Sequence, residues 1–442
     1  MTNQAKEYDG GVAAPLLTTE RSLESQITRN GGASISGAVL NISTTMIGAG
    51  IMSVPATMKV LGIIPGFVMI VFVAILVDVT AEFMLRYTKS GKSTTYAGLL
   101  RESFGSSGSV AVQVCVMITN LGCLVIFLII IGDVLCGTQF GETLHLGILQ
   151  EWFGIHWWNS RPYALLFLVS FVMLPLVFLR RVDSLRYSSA ISILLAVLFV
   201  AISSGMAIYA MWRGNTQKLR LFPDFNNQSS VWDLFTTIPV FVTALGFHVN
   251  VHPIRAELGK PSDMSLAIRI SLIISVAIYF SVGFFGYLLF GDSIMGDILV
   301  NFDQWSDSPV AQALNTIVRL SYALHLALVF PIMNFSLRVN IDELLFPKWP
   351  MLTDDTKRFV SLTCVLLALV YTIAIALPNI WYFFQIMGSS TIVCLSFIFP
   401  GAIILRDLHG ISTTWDKIMA VLVIVLAVFT SSIAIYANLH SS

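Results

Sequence analysis

Asn41-Ile-Ser-Thr-Thr45-Met46-Ile47-Gly48-Ala49-Gly50-Ile-Met-Ser-Val-Pro55 is the stretch on which the reading of this chain turns. Amide and hydroxyl side chains lead into a Gly-X-Gly step, and a proline follows one turn later, inside a run otherwise apolar enough for lipid. In hydrocarbon an unpaired backbone group costs several kcal/mol, so unwound backbone persists only where protein covers it or a cavity receives it. An interrupted helix bares N–H groups at the start of its second half and carbonyls at the end of its first. Those ends suit an anion and a cation respectively. A small-residue packing face with a tolerated proline kink accounts for the same residues, and this stretch alone does not choose.

Composition supplies the membrane. Of 442 residues 56% are hydrophobic and 11% charged, where a soluble domain carries roughly 25% charged. A water-soluble body so built would expose large apolar patches, which excludes an ordinary cytosolic enzyme and a disordered chain. Net charge is zero, so no basic surface invites phosphates and nucleic acid is not an expected partner. The five cysteines (Cys115, Cys123, Cys136, Cys364, Cys394) sit mostly in apolar runs and read as small packing residues, not a disulfide framework. Residues 1–33 are polar and lack the short apolar core of a signal peptide; they read as a flexible cytosolic tail.

A spanning helix needs about 20 mostly apolar residues. Eleven stretches qualify: Ile35–Leu61, Ile63–Thr88, Val110–Leu135, Pro162–Leu179, Ser188–Trp212, Leu234–Leu258, Ala267–Phe290, Val310–Leu337, Phe359–Leu377, Ile380–Leu405 and Ile418–Ala437. With the N-terminus cytosolic, most of the 25 basic residues fall on the cytosolic side. Lys59, Arg161, Arg213, Lys218 and Arg220 fall outside, and Arg319 lies within the eighth span. The loop from Gly291 to Pro309 holds Asp292, Asp297, Asp303 and Asp307 with no Lys or Arg. This asymmetry orients the chain, with the C-terminus outside or in a lumen. The sequon Asn227-Gln228-Ser229 then falls in an outer loop open to glycosylation.

The sixth span chooses between the two readings of the first. It runs Gly246-Phe247-His248-Val-Asn250-Val-His252-Pro253-Ile-Arg255-Ala-Glu257, with a proline, two histidines and an asparagine where an unbroken apolar helix is expected. Spans 1 and 6 lie five helices apart, as corresponding helices of a five-plus-five inverted repeat do. Interrupted segments in matching positions of two halves point to a transporter's midplane site.

Here the residues resemble a known family. Asn41, Ile47-Gly48-Ala49-Gly50-Ile51 and Pro55, with the His-Pro-Ile and Glu257-Leu258 elements of span 6, are similar to the amino acid/auxin permeases, which include sodium-coupled neutral amino acid transporters. Within that family the plant and fungal vacuolar amino acid exporters are the nearest in pattern. The resemblance covers residues 34–437 and implies an all-α polytopic membrane protein of eleven transmembrane helices. It implies a five-plus-five inverted repeat (LeuT-like), about 35–212 and 234–405, with helices 1 and 6 broken and helix 11, about 418–437, appended. The implied function is secondary active transport of L-amino acids by alternating access, in a monomer in the lipid bilayer, of the vacuole or another membrane. Thr45, Met46, Ile47, Gly48, Ala49 and Gly50 would contact the substrate from one break, and Phe247, His248 and Asn250 from the other.

Asn41 matches the asparagine with which sodium-coupled members hold the ion against a hydroxyl of span 8. Span 8 departs from that pattern: no threonine precedes Pro331, and Ser321 lies earlier. A hard cation prefers several oxygen ligands, so a proton is favoured over sodium as the coupling ion, and no other cofactor is expected. His325 in mid-span 8 is either the protonable replacement or a neutral, hydrogen-bonded histidine. Asp78, on one face of span 2 with Glu82, is either a proton carrier or half of a buried ion pair, Arg319 being one partner. No basic residue at the breaks demands an acidic substrate, so neutral amino acids are favoured.

Other classes compete. His248 and His252 share a helical face, as in a metalloenzyme, but a histidine-box di-iron site needs roughly eight histidines and the chain has seven. A channel would need a filter motif or charge rings, and neither appears. An amino acid-sensing receptor without net transport is the alternative; its mark would be a large signalling tail.

Overall fold

Apolar runs this long form helices because every backbone group must pair internally in lipid, and the computed structural model has that form. It describes residues 34–140, 143–178, 186–224, 228–303, 308–346, 349, 352, 355–377 and 379–440. The N-terminal tail and Asn227 of the sequon lie outside the described residues. Among the described residues nine helices are long and apolar enough to cross a membrane, and one bent pair brings the number to ten. The protein is a helical, multi-pass integral membrane protein.

The bent pair is α1 (Ile35–Met46) and α2 (Gly50–Leu61), set at 59°. There follow α3 (Ile63–Ser90), α4 (Tyr96–Cys136), α5 (Arg161–Val177), α6 (Arg186–Arg213), α7 (Gln228–Leu245), α8 (His248–Glu257) and α9 (Met264–Phe290). The last four are α10 (Pro309–Leu345), α11 (Thr356–Ala376), α12 (Ile380–Arg406) and α13 (Thr414–His440). α7 and α8 continue as one span despite their break. The expected fourth span falls on α5, which is shorter than a full crossing and carries a π-helical turn at Val169–Met173. The expected third span is longer than read: α4 begins at Tyr96 and kinks at Gly105, whose φ of 70° is a left-handed value that suits glycine.

Packing divides the helices. α1 and α2 lie against α9, α2 also meets α7, and α3 packs on α9, so these form one group. α4 packs on α5, α10 and α11 as a second group. α6 bridges α9 and α10, while α12 bridges α4 and α7. A short antiparallel hairpin, Thr138–Phe140 with Thr143–His145, follows α4, pairing Thr138 with His145 and Gln139 with Leu144.

α13 is clasped at one end. Arg86 holds Asp416 bidentately at 2.8 and 3.0 Å. Asp407, just past α12, accepts from the Tyr87 hydroxyl (2.6 Å), pairs with Lys417 (3.0 Å) and accepts from the Ser412 N–H (3.1 Å). The Tyr87 and Lys417 bonds hold the Asp407 carboxyl well below the usual carboxylate range.

Candidate functional site

The first break occupies Ile47, Gly48 and Ala49. The Ile47 N–H still reaches the Ser43 carbonyl at 2.7 Å, but Ile47 turns to φ −74°, ψ 66°, and the Gly48 N–H folds back on the Met46 carbonyl at 2.7 Å. Two tyrosines from other helices then receive the bared carbonyls. Tyr322 of α10 donates its hydroxyl to the Gly48 carbonyl at 2.6 Å. Tyr279 of α9 donates to the Met46 carbonyl and to the Ala244 carbonyl, the latter at 2.8 Å. Ala244 lies at the end of α7, so one phenol links both breaks. Both tyrosines are fully buried. The Met46 carbonyl thus accepts two donors, the Gly48 N–H and the Tyr279 hydroxyl, and the Gly48 carbonyl accepts the Tyr322 hydroxyl and, at 3.3 Å, the Ile51 N–H.

The two glycines of the first break differ in surroundings. A Cβ on Gly48 would meet only its own Thr45 carbonyl, 3.9 Å away. One on Gly50 would sit 2.7 Å from the Ala244 Cα, where α2 and α7 cross. Gly48 thus faces open space and Gly50 allows a close helix crossing.

The second break lies at Gly246 and Phe247. Asn250 extends a long hydrogen bond, 3.5 Å, to the Thr45 hydroxyl, joining α8 to α1, and Thr45 itself donates to the Asn41 carbonyl at 2.9 Å. His248 turns toward α3: its Nε2 lies 3.0 Å from the Thr80 hydroxyl. His252 repeats the arrangement with Thr88 at 2.8 Å and stacks on Tyr96. Thr80 donates to the Leu76 carbonyl and Thr88 to the Met84 carbonyl, so each accepts from the histidine. That assigns the Nε2–H tautomer to both rings. Each Nδ1 is buried with no partner among the described residues. The two imidazoles bond separate threonines, and among the described residues no group of three or more His, Cys, Asp or Glu is placed to hold a metal ion.

His325 is buried beside the first break. Its Nδ1 lies 2.8 Å from the Ser192 carbonyl and 2.7 Å from the Ser192 hydroxyl of α6. Its ring packs on Tyr322, centroids 4.8 Å apart, and reaches the backbone of Ile47. Asn41 is exposed on α1. Ser321 is buried and donates to the Val318 carbonyl of its own helix at 3.0 Å, and no hydrogen bond joins it to Asn41. Asp78 pairs with Arg269 of α9 at 3.4 Å. The suggested Asp78–Arg319 pair is corrected: Arg319 instead holds Glu151 at 2.5 Å, its reach fixed by α10 toward the hairpin side.

Reading the sequence found the breaks but not what covers them. Tyr279, Tyr322, Ser192 and Thr80 were missed, although a phenol in mid-span always needs a partner, a signal that deep tyrosines alone carry. A third interruption, at Ser390 with a π-helical turn at Cys394–Ile398, lies in the tenth span, whose sequence predicts an unbroken helix. A cavity of about 190 Å³ lies apart from the breaks, between α3, α7, α12 and α13. Phe72, Leu76, Pro239, Phe397 and Phe429 help to line it, and its surface is almost wholly apolar. It offers a zwitterion nothing to bind.

A membrane bundle in which two broken helices meet, their bared carbonyls facing buried hydroxyls, belongs to the class of small-solute carriers. The chain is a member of the transmembrane amino acid transporter protein family, whose model matches residues 31–439. It is 57% identical to the amino acid transporter AVT6C of Arabidopsis thaliana, over 95% of this chain and 96% of that protein. Its identity to AVT6D of the same plant is 53%, over 97% and 98%. The fold is similar to that of MhsT, solved in complex with L-phenylalanine, with a TM-score of 0.57 at 14% identity over 92% of this chain and 99% of that one. The family is one of transporters, not enzymes.

Proposed function

We propose that this chain carries neutral L-amino acids across its membrane by alternating access, the substrate lying between the two breaks. The observation that carries the reading is the Tyr279 hydroxyl between the Met46 and Ala244 carbonyls: it ties the two bared ends at one place. The substrate ammonium would take the place of the tyrosine hydroxyls on the Met46, Gly48 and Ala244 carbonyls, and its carboxylate would take the N–H groups that open α2 and α8. Thr45 and Asn250, already joined, flank that place, and open Gly48 gives it room; Ile47, Ala49, Phe247 and His248 form its backbone frame.

The coupling ion in this reading is a proton. Asn41 and Ser321 make no joint oxygen site for sodium, whereas His325 lies against the first break and Asp78 joins α3 to α9. The proposed topology has eleven spans with α5 as the fourth, five-plus-five repeats, α13 appended, the N-terminal tail of residues 1–33 in the cytosol and the C-terminus in the lumen. The proposed state is a monomer in a vacuolar membrane, exporting from the lumen, as the resemblance of the two breaks to the vacuolar amino acid exporters implies.

Purified protein in proteoliposomes tests this, with sodium and pH gradients imposed separately. Saturable uptake with counterflow of a labelled neutral amino acid is expected, driven by the pH gradient and indifferent to sodium. Binding without counterflow would select the sensing receptor instead. His325→Ala should flatten the pH dependence of flux; an unchanged profile removes His325 from the coupling path.

A further inference from the structure

Asp297 belongs to the acidic loop between α9 and α10, and nothing above uses it. The described part of the loop, residues 291–303, is seated, not free. The Ser53 hydroxyl of α2 donates to the Gly296 carbonyl at 2.7 Å, and the Lys59 ammonium reaches the Ile294 carbonyl at 3.4 Å. Asn301 braces it from within, donating to the Ser293 carbonyl and accepting the Met295 N–H, each at 2.9 Å. Ile298, Leu299 and Phe302 are buried beneath it, and the short helix Ile298–Asn301 packs on α2 and α4. The loop therefore covers α2, the second half of the first span.

The Asp297 side chain is 2% exposed. Its Oδ1 accepts the Leu299 N–H at 2.9 Å, while its Oδ2 is buried with no partner among the described residues. The charged groups around it are Asp133 of α4, Arg161 of α5 and Arg319 of α10, with the Tyr322 hydroxyl also near. Lys59 meets the start of the loop, and the His145–Asp303 pair (3.0 Å) closes its end. Both arginines are already matched, Arg161 by Asp133 and Arg319 by Glu151. An ionised Asp297 would add one uncompensated negative charge to a buried place, whereas a protonated one leaves the count balanced.

We propose that Asp297 is a proton-binding site that latches the outer gate: its carboxyl takes a proton from outer-side water as the loop seats and returns it as the loop lifts. The proposal rests on the carrier reading and orientation given above. The Tyr322 hydroxyl, bonded to Gly48, connects the latch to the break. Burial pushes the Asp297 carboxyl well above the ordinary carboxylate range, Asp133 adding to the rise, against the Leu299 N–H and the two arginines. The seated loop is thus favoured in acid, fully so below the free-loop pKa, and the preference is lost as pH rises through the seated value.

The test uses two readouts. In proteoliposomes, Asp297→Asn should keep counterflow and the pH-gradient drive assigned to His325, because the amide stands in for the protonated latch at every pH. Leu299→Cys, probed with a membrane-impermeant maleimide against the parent chain as blank, should be protected in acid and labelled near neutrality. Thiol ionisation alone raises the maleimide rate by up to about tenfold per pH unit, so the Leu299→Cys rate is read relative to that of an exposed reference cysteine on the same side of the membrane, Lys218→Cys. For one proton the latch adds at most about tenfold per pH unit to that ratio, and adding Asp297→Asn should make the ratio pH-independent. A ratio that still changes with pH in Asp297→Asn overturns the proposal. If Asp297→Asn does not fold, a pH-independent ratio in Leu299→Cys alone does so. Absence of counterflow in the parent chain defeats the carrier reading instead, and leaves the labelling profile to decide the latch.

Discussion

The two broken helices are interrupted alike and secured differently. At the first break the chain bends by 59° and its carbonyls go to tyrosines on two helices, Tyr279 of α9 and Tyr322 of α10. At the second the helix runs nearly on, and His248 and His252 are fastened to Thr80 and Thr88 of α3. All of the second set of bonds, and Tyr279 as well, stay within the group formed by α1, α2, α3, α7, α8 and α9. The Tyr322 bond crosses to the group of α4, α5, α10 and α11, as does His325 of α10 where it reaches the Ile47 backbone; at the second break the crossing contact is the stack of His252 on Tyr96 of α4. If the groups rock against one another, the second break keeps its hydrogen bonds, while the first must give up the Tyr322 bond in each cycle. Helix interruption is thus one device put to two uses, a rigid support and a releasable contact.

The strongest way to break this comparison is at the glycines. Gly50→Val forces a side chain onto the Ala244 backbone and should lower the thermal midpoint in detergent, overpacking costing about 1–3 kcal/mol. Gly48→Val meets open space and should leave that midpoint unchanged while abolishing uptake; equal midpoints for both variants would erase the distinction. Next come the tyrosines. Tyr279→Phe uncaps two carbonyls and Tyr322→Phe one, each uncapped group costing about 1–3 kcal/mol, so Tyr279→Phe should melt lower. Tyr322→Phe should also shift the balance of conformers, read as altered cysteine accessibility on the two sides of the membrane. Thr80→Val frees the His248 ring and should cost about 1 kcal/mol of stability with little change in transport KM. A large KM effect would move His248 from support to substrate contact. The smallest effect is expected at Asp407, which tests a fixed clasp far from both breaks. Its depressed carboxyl contributes stability above the unfolded carboxylate pKa and loses it as pH falls through the lower folded value. Asp407→Asn should therefore lessen the acid-side fall of the thermal midpoint, Asp416 on Arg86 supplying the remainder, and leave flux intact.

The positions of both breaks were legible because glycine, proline and polar side chains violate the demand that lipid makes on backbone. Gly48-Ala49-Gly50 and Gly246-Phe247-His248 announce themselves in this way. Their covers were not legible, because Tyr279 and Tyr322 sit in spans of ordinary apolarity and only packing shows where a phenol points. The same holds for Asp78 and Arg319, whose depths along two helices decide that they go to Arg269 and Glu151. The full extent of α4 escaped notice because its first turns, Tyr96–Phe104, are too polar for a membrane criterion and lie before the Gly105 kink. The π-helical turns in α5 and α12 leave no compositional mark at all, since they change hydrogen-bond register and not residue type.

A phenol has one proton, and at Tyr279 two carbonyls from different helices compete for it. Because both carbonyls belong to the same group of helices, the shared proton holds the ends of α1 and α7 at one spacing. A single hydroxyl thereby pins two rods into one frame.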